Sequence, residues 1–159
     1  MANGNNTVWN QSVAGVCIKN GCVLLARHTY GGGKGKFIIP GGYLDAGETP
    51  QDAVKREYLE EVGVTVEPTD IIGIRFNQKD WYVVFQVEYV SGEARSDGDE
   101  NDIVAWMPIN EALMRDDVPD LTKLMIKAAL REGKFTRLPF NGRSAPNSLY
   151  GPIDKNDAQ

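Results

Sequence analysis

Residues 42–64, GYLDAGETPQDAVKREYLEEVGV, combine spaced glycines, an isolated glutamate at 48 and an Arg-Glu-Tyr-Leu-Glu-Glu run. Glu57, Glu60 and Glu61 stand at i, i+3 and i+4, so one turn of helix brings three carboxylates to one face. Like charges at this spacing repel by roughly 0.2–0.5 kcal/mol per pair, and a face that only met water would intersperse lysines. A hard cation relieves that repulsion. The helix is marked at both ends: Thr49 caps it, Pro50 suits its first turn, Asp52 sits where a capping box returns its carboxylate, and Gly63 stops it. Tyr58, Leu59 and Val62 are expected on the packing side, away from the glutamates. Arg56, one turn before Glu60, is placed to hold that carboxylate. Glu48 precedes the helix on a loop reached through Pro40-Gly41-Gly42, whose glycines allow close approaches that a Cβ forbids.

Gly42, Glu48, Arg56, Glu57, Glu60, Glu61 and Gly63, at these spacings, resemble the complete box of the Nudix hydrolase family. Tyr58 departs from the aliphatic residue usual there, at a packing position. The preceding Phe37-Ile38-Ile39-Pro40-Gly41-Gly42 is similar to the family's aromatic-x-x-Pro-Gly-Gly run, with phenylalanine where tryptophan is commoner. The resemblance implies an α/β fold, an α/β/α sandwich around a mixed β-sheet. It also implies a divalent-metal-dependent pyrophosphohydrolase that cleaves a diphosphate bond in a nucleoside diphosphate linked to another moiety. Glu57 and Glu61 are then the metal ligands, joined by Glu60 and the backbone carbonyl of Gly41, while Glu48 tunes the ligands or supports its loop. The general base belongs either to the box, as Glu57, or to a downstream loop, as Glu100 with Asp99 or Asp102 behind it. Arg56 joins Glu57 and Glu100 among the catalytic candidates. Arg27 stands where the family often has a phosphate-contacting arginine, although an ordinary surface arginine fits the position too.

The chemistry of the donors points the same way. Clustered carboxylates without a neighbouring histidine or cysteine favour Mg²⁺ or Mn²⁺ over zinc. Such ions clamp diphosphate oxygens and position a water for attack at phosphorus.

A chain of 159 residues suits one domain, expected over 1–140 with a polar tail at 141–159. That tail packs either on its own domain or on a neighbour. The net charge of −5 argues against an extended nucleic-acid surface or an anionic membrane as partner and leaves a small diphosphate, with a homodimer open. No apolar run approaches the roughly 20 residues of a spanning helix, and residues 1–6 lack the regions of a signal peptide, so a cytoplasmic location is expected. Cys17 and Cys22 flank an Asn20-Gly21 hairpin turn that pairs Lys19 with Cys22, so the thiols fall out of register and stay unbridged.

Residues 12–27 read as a β-hairpin, and 71–76, 82–89 and 103–107 as further strands. The acidic stretch 96–102 reads as a loop, and Leu121, Leu124, Met125 and Ala128 mark a packing stripe on a helix over 118–132. The basic loop at 31–36 is not a Walker A motif; it is a mobile connection, or Lys34 or Lys36 meets substrate phosphate. His28, the single histidine, either polarises a phosphate or packs. Phe76, Trp81 and Tyr82 are either core aromatics or a stacking surface for a base, Trp81 being the substrate-binding candidate. Signatures that resemble NADH-cleaving or ADP-ribose-cleaving subfamilies are missing. A non-catalytic nucleotide sensor and a hydrolase of non-nucleoside diphosphates are the alternatives; an isopentenyl-diphosphate isomerase resembles chains with more histidines than the one here.

Overall fold

The computed structural model describes residues 9–132, 135–142 and 147–152. Its first hairpin joins β1 (Asn10–Lys19) to β2 (Cys22–His28). Asn20 and Gly21 take φ of 52° and 73°, the left-handed pair that a tight two-residue turn demands. Lys19 lies opposite Cys22 and Ile18 opposite Val23, as expected, and both thiols are free. Short strands β3 (Phe37–Ile38) and β4 (Gly41–Tyr43) lead to helix α1 (Pro50–Val62). The long pair β5 (Thr65–Asn77) and β6 (Asp80–Ser91) exceeds the expected strands at both ends. Register shifts near Pro68 and Gly73 accommodate a residue without an N–H and one without a side chain. β7 (Asn101–Pro108), α2 (Ile109–Met114) and α3 (Asp120–Ala129) follow, then β8 (Thr136–Leu138) and β9 (Asn147–Gly151).

Among the described residues the strands form one mixed sheet, β3-β2-β1-β6-β5-β9-β8, with β4 also on β1 and β7 also on β2. β1 runs parallel to β6 and antiparallel to β2 and β4. Side chains alternate across β1: Ala14 and Val16 join a core with Met125, Ile126 and Ala128 of α3, while Val13 and Cys17 join Val54, Tyr58 and Val62 of α1. Helices thus cover both faces of the sheet. Gly15 lets α1 close in, because a Cβ there would stand 2.9 Å from the Tyr58 ring, and the Tyr58 hydroxyl donates to the Gly15 carbonyl at 2.5 Å.

Two details depart from the sequence expectation, and a third decides between its alternatives. Leu59 is 56% exposed, since the buried stripe of α1 is Ala53, Val54, Glu57, Tyr58, Glu61 and Val62. Two of the glutamates therefore share the edge of the packing face instead of opposing it. The helix expected over 118–132 is α3, which spans ten residues and follows Pro119. Finally, the described part of 141–159 packs on its own domain, where β9 pairs with β5 and Leu149 is completely buried. No helix among the described residues is long and apolar enough to cross a membrane.

Candidate active site

Helix α1 begins as its caps dictate, with the Thr49 side chain accepting from the Asp52 N–H at 3.2 Å, and ends on Gly63 in the left-handed conformation. Between these ends Glu57 and Glu61, one turn apart, are 9% and 5% exposed and face a cleft of about 750 Å³. Burial raises the pKa of both, with Arg56 opposing the rise at Glu57. Glu61 is pushed up to about 9, by burial first and then by the charges of Glu57 and Glu100, against a backbone hydrogen bond from Gly41. Its Oε2 is buried without a hydrogen-bond partner.

Two local devices hold this pair. A Cβ on Gly42 would stand 2.4 Å from Glu57 Oε1, so only glycine lets the carboxylate lie against the β4 backbone; on Gly41 it would stand 2.1 Å from the Val13 carbonyl. Arg56 is the second device. Its guanidinium donates to Glu48 at 2.5 Å, to Glu57 at 3.0 Å, to Glu60 at 3.2 Å and to the Tyr43 carbonyl at 3.1 Å. Charge-assisted bonds of this kind are roughly twice as strong as neutral ones. The expected brace to Glu60 is present, but Glu48 and Glu57 lie closer, and Glu48 is held below the usual carboxylate range chiefly by its hydrogen bond to Arg56. Arg56 thus acts as a strut, its donors committed to the protein. The Glu60 side chain is 60% exposed at the rim, in contrast to its two buried partners.

The opposite wall comes from distant parts of the chain. Glu100 lines the cleft, its pKa raised by burial and then by Asp97, Asp99 and Glu60. Tyr30 stacks on His28 with ring centroids 6.0 Å apart, and both line the cleft. Burial lowers the pKa of His28. At the far end Arg75 pairs with Asp80 and lies 5.2 Å from the Tyr82 ring centre. The sequence reading passed over Tyr30, Arg75 and Asp80; the aromatic Tyr30 beside the glycine loop was the one available signal.

Several expected contacts are absent from the cleft wall. Arg27 forks onto Asp102 with two bonds of 2.8 Å, which commits both residues to each other and removes Asp102 from the base candidates. Lys34 and Lys36 lie outside the lining, and Lys36 reaches the Asp116 carbonyl at 3.4 Å. Trp81 also lies outside it, because neighbours on a strand point to opposite faces and Tyr82 takes the inward position.

Among the described residues no three His, Cys, Asp or Glu side chains gather into a finished metal cage. The residues nonetheless fit a hard divalent cation: Glu57 and Glu61 adjoin, Glu61 Oε2 has no partner, and the donors this pair offers are carboxylate oxygens.

The NUDIX domain family matches residues 9–128. Nudix hydrolase 1 of Caenorhabditis elegans is 29% identical over 134 residues, 83% of this chain and 33% of the worm protein. ADP-ribose pyrophosphatase of Methanocaldococcus jannaschii is 30% identical over 95 residues, 55% of this chain and 56% of that protein. The chain therefore spans a third and a little over half of the length of these two relatives. A bifunctional NMN adenylyltransferase/ADP ribose pyrophosphatase from Francisella tularensis, solved with AMP and a Mn ion, shares the fold at a TM-score of 0.63. That match covers 80% of this chain and 42% of the other at 18% identity. A family match that runs from β1 through most of α3, over the sheet and the helix that carry the glutamates, leaves one conclusion: this chain belongs to the NUDIX domain family.

Proposed function

We propose that this domain is a divalent-metal-dependent pyrophosphohydrolase that cleaves the diphosphate bond of a nucleoside diphosphate linked to another moiety. The observation that carries the reading is the buried pair Glu57 and Glu61 at the cleft, with one Glu61 oxygen unpartnered. Glu57 and Glu61 would hold Mg²⁺ or Mn²⁺, with Glu60 and the Gly41 carbonyl completing the set. When bound, such an ion neutralises diphosphate charge and lowers the pKa of water.

The chain's own residues supply the rest. Arg56 and Glu48 fix the orientation of Glu57 through the bonds described above. Glu100, which forms no ion pair among the described residues, takes the proton of the attacking water as general base; its raised pKa suits that role better than that of a fully solvated acid. Tyr30 presents a neutral ring and hydroxyl beside the acidic side chains of Asp97, Glu100, Glu57 and Glu61. The similarity to an archaeal ADP-ribose pyrophosphatase supports a nucleotide-linked diphosphate as substrate.

The test is hydrolysis of ADP-ribose, nucleotide sugars, nucleoside triphosphates, dinucleoside polyphosphates and NADH, with and without Mg²⁺ or Mn²⁺, with product identification. Turnover is expected only with metal, and Glu57→Gln should lower it on the order of a thousandfold, about 4 kcal/mol of transition-state stabilisation. Full turnover in EDTA overturns the metal reading. Cleavage confined to non-nucleoside diphosphates overturns the nucleotide reading and leaves the diphosphate chemistry standing.

A further inference from the structure

We propose that Asn101 is a positioning residue that aims Glu100 at the glutamate pair; the proposal rests on the reading of Glu100 as general base. Asn101 is 1% exposed, at the start of β7 and directly after Glu100. Its Nδ2 donates to the backbone carbonyl of Glu61 at 2.9 Å, which ties the last turn of α1 to the loop that carries Glu100. Its Oδ1 is buried without a partner, an unfavourable arrangement that an apolar side chain would avoid. The link to Glu61 is what the amide provides in return.

Everything around Asn101 holds the same loop. Asp97 Oδ1 accepts from the Asp99 and Asn101 N–H groups at 2.9 and 3.1 Å. Ser96 Oγ accepts from the Gly98 N–H at 2.9 Å and donates to the Asn101 carbonyl at 2.8 Å. Thr29 straps the loop from the other side, its hydroxyl donating to the Asp99 carbonyl at 2.6 Å and its N–H to the Glu100 carbonyl at 3.0 Å. Although residues 97–100 are exposed, 96–101 is pinned to β7, to the end of β2 and, through Asn101, to α1, beside the Arg95 N–H that donates to the Val62 carbonyl at 2.9 Å.

A bulge sets this up. Arg27 lies opposite Ile103 but His28 lies opposite Asn101, so Asp102 is the extra residue. The insertion turns Asp102 outward to Arg27 while Asn101 goes into the interior. Two acidic neighbours in sequence thereby part: Asp102 becomes a structural ion pair and Glu100 stays at the cleft.

The experiment compares Asn101→Asp, Asn101→Ala and Thr29→Val with the wild-type chain. Asn101→Asp keeps the shape but cannot donate to the Glu61 carbonyl, and Thr29→Val loosens the strap without touching α1. Amide hydrogen exchange at Gly98, Asp99 and Asn101 should quicken on the order of fivefold, the worth of one hydrogen bond, with β1 and β6 unchanged. With ADP-ribose and Mn²⁺, both Asn101 variants should lose kcat on the order of a hundredfold with KM within about threefold. In a Glu100→Gln background, Asn101→Ala should lower kcat by less than about threefold further, because the two act through one group. Unchanged exchange in the loop, or a full multiplicative loss on top of Glu100→Gln, overturns the proposal. A Glu100→Gln enzyme at wild-type rate removes the base and the proposal with it. If the wild-type chain leaves ADP-ribose uncut, that substrate fails, and the exchange measurement alone supports or overturns the positioning role.

Discussion

At the scale of the single residue, Glu61 is the side chain whose placement conflicts most with folding. It is nearly fully buried, has an orphan oxygen and stands beside a second buried carboxylate. An unfolded glutamate titrates near 4.3, whereas the folded carboxyl is pushed up to about 9 by burial and then by Glu57. Between those values the folded chain binds more protons than the unfolded one, so this group destabilises the fold as pH rises through the window and has no effect below it. In metal-free protein, Glu61→Gln should therefore raise the melting temperature at pH 8, with a gain that shrinks as pH falls towards 5, while turnover is lost. An equal gain at pH 8 and pH 5 would sink the idea. Leu59 shows the limit of reading residues one by one, because a leucine beside Tyr58 suggested packing, but its azimuth on the helix leaves it 56% exposed.

At the scale of the element, α1 and β4 act as one unit, and two substitutions separate its folding role from its site role. Thr49→Ala removes the cap bond and should cost about 1 kcal/mol of stability, read from denaturant unfolding, with activity per folded molecule unchanged. Gly42→Ala puts a Cβ into the Glu57 carboxylate. Its stability cost should be small, because the atoms it meets are the movable end of a side chain, yet kcat should fall roughly tenfold or more, because a displaced carboxylate no longer meets the cleft. A Gly42→Ala enzyme with wild-type kcat would show that Glu57 reorients freely. The helix with its caps and the glycine approach were legible in the sequence, since each is a matter of spacing within one turn or one loop. Bulges in β5 and β7 were not, because an extra residue is defined only by the strand opposite.

At the scale of the whole molecule, the sheet does not end at residue 140. β9 covers the edge of β5 and buries Leu149 completely, between the strands and the α3 side of the core. A chain ending at residue 142 should lose on the order of 3 kcal/mol from that side chain alone. At roughly 2–4 °C per kcal/mol for a domain of this size, melting should fall by about 6–12 °C. An unchanged melting temperature would mean that β9 adds nothing to the folded unit. Such a truncation also bares backbone donors and acceptors along β5, so increased association at high protein concentration is expected. The short, polar 141–159 segment hid this role, because one buried leucine on a five-residue strand leaves no periodic pattern to read.

The sequence by itself determined the acidic helix, its caps, the glycine approach, the hairpin turn and the preference for a hard cation. All of these depend on torsions, spacings or donor types within a few consecutive residues. Only the tertiary structure decided which acids share the cleft. Glu60 stays at the rim, Asp102 goes to Arg27, and Glu100 arrives from a loop some forty positions beyond α1. It likewise chose Tyr82 over Trp81 and added Glu48 and Glu57 to the brace that Arg56 makes to Glu60, because strand register, a single bulge and the hydrogen-bond partners brought together by the fold fix where a side chain points.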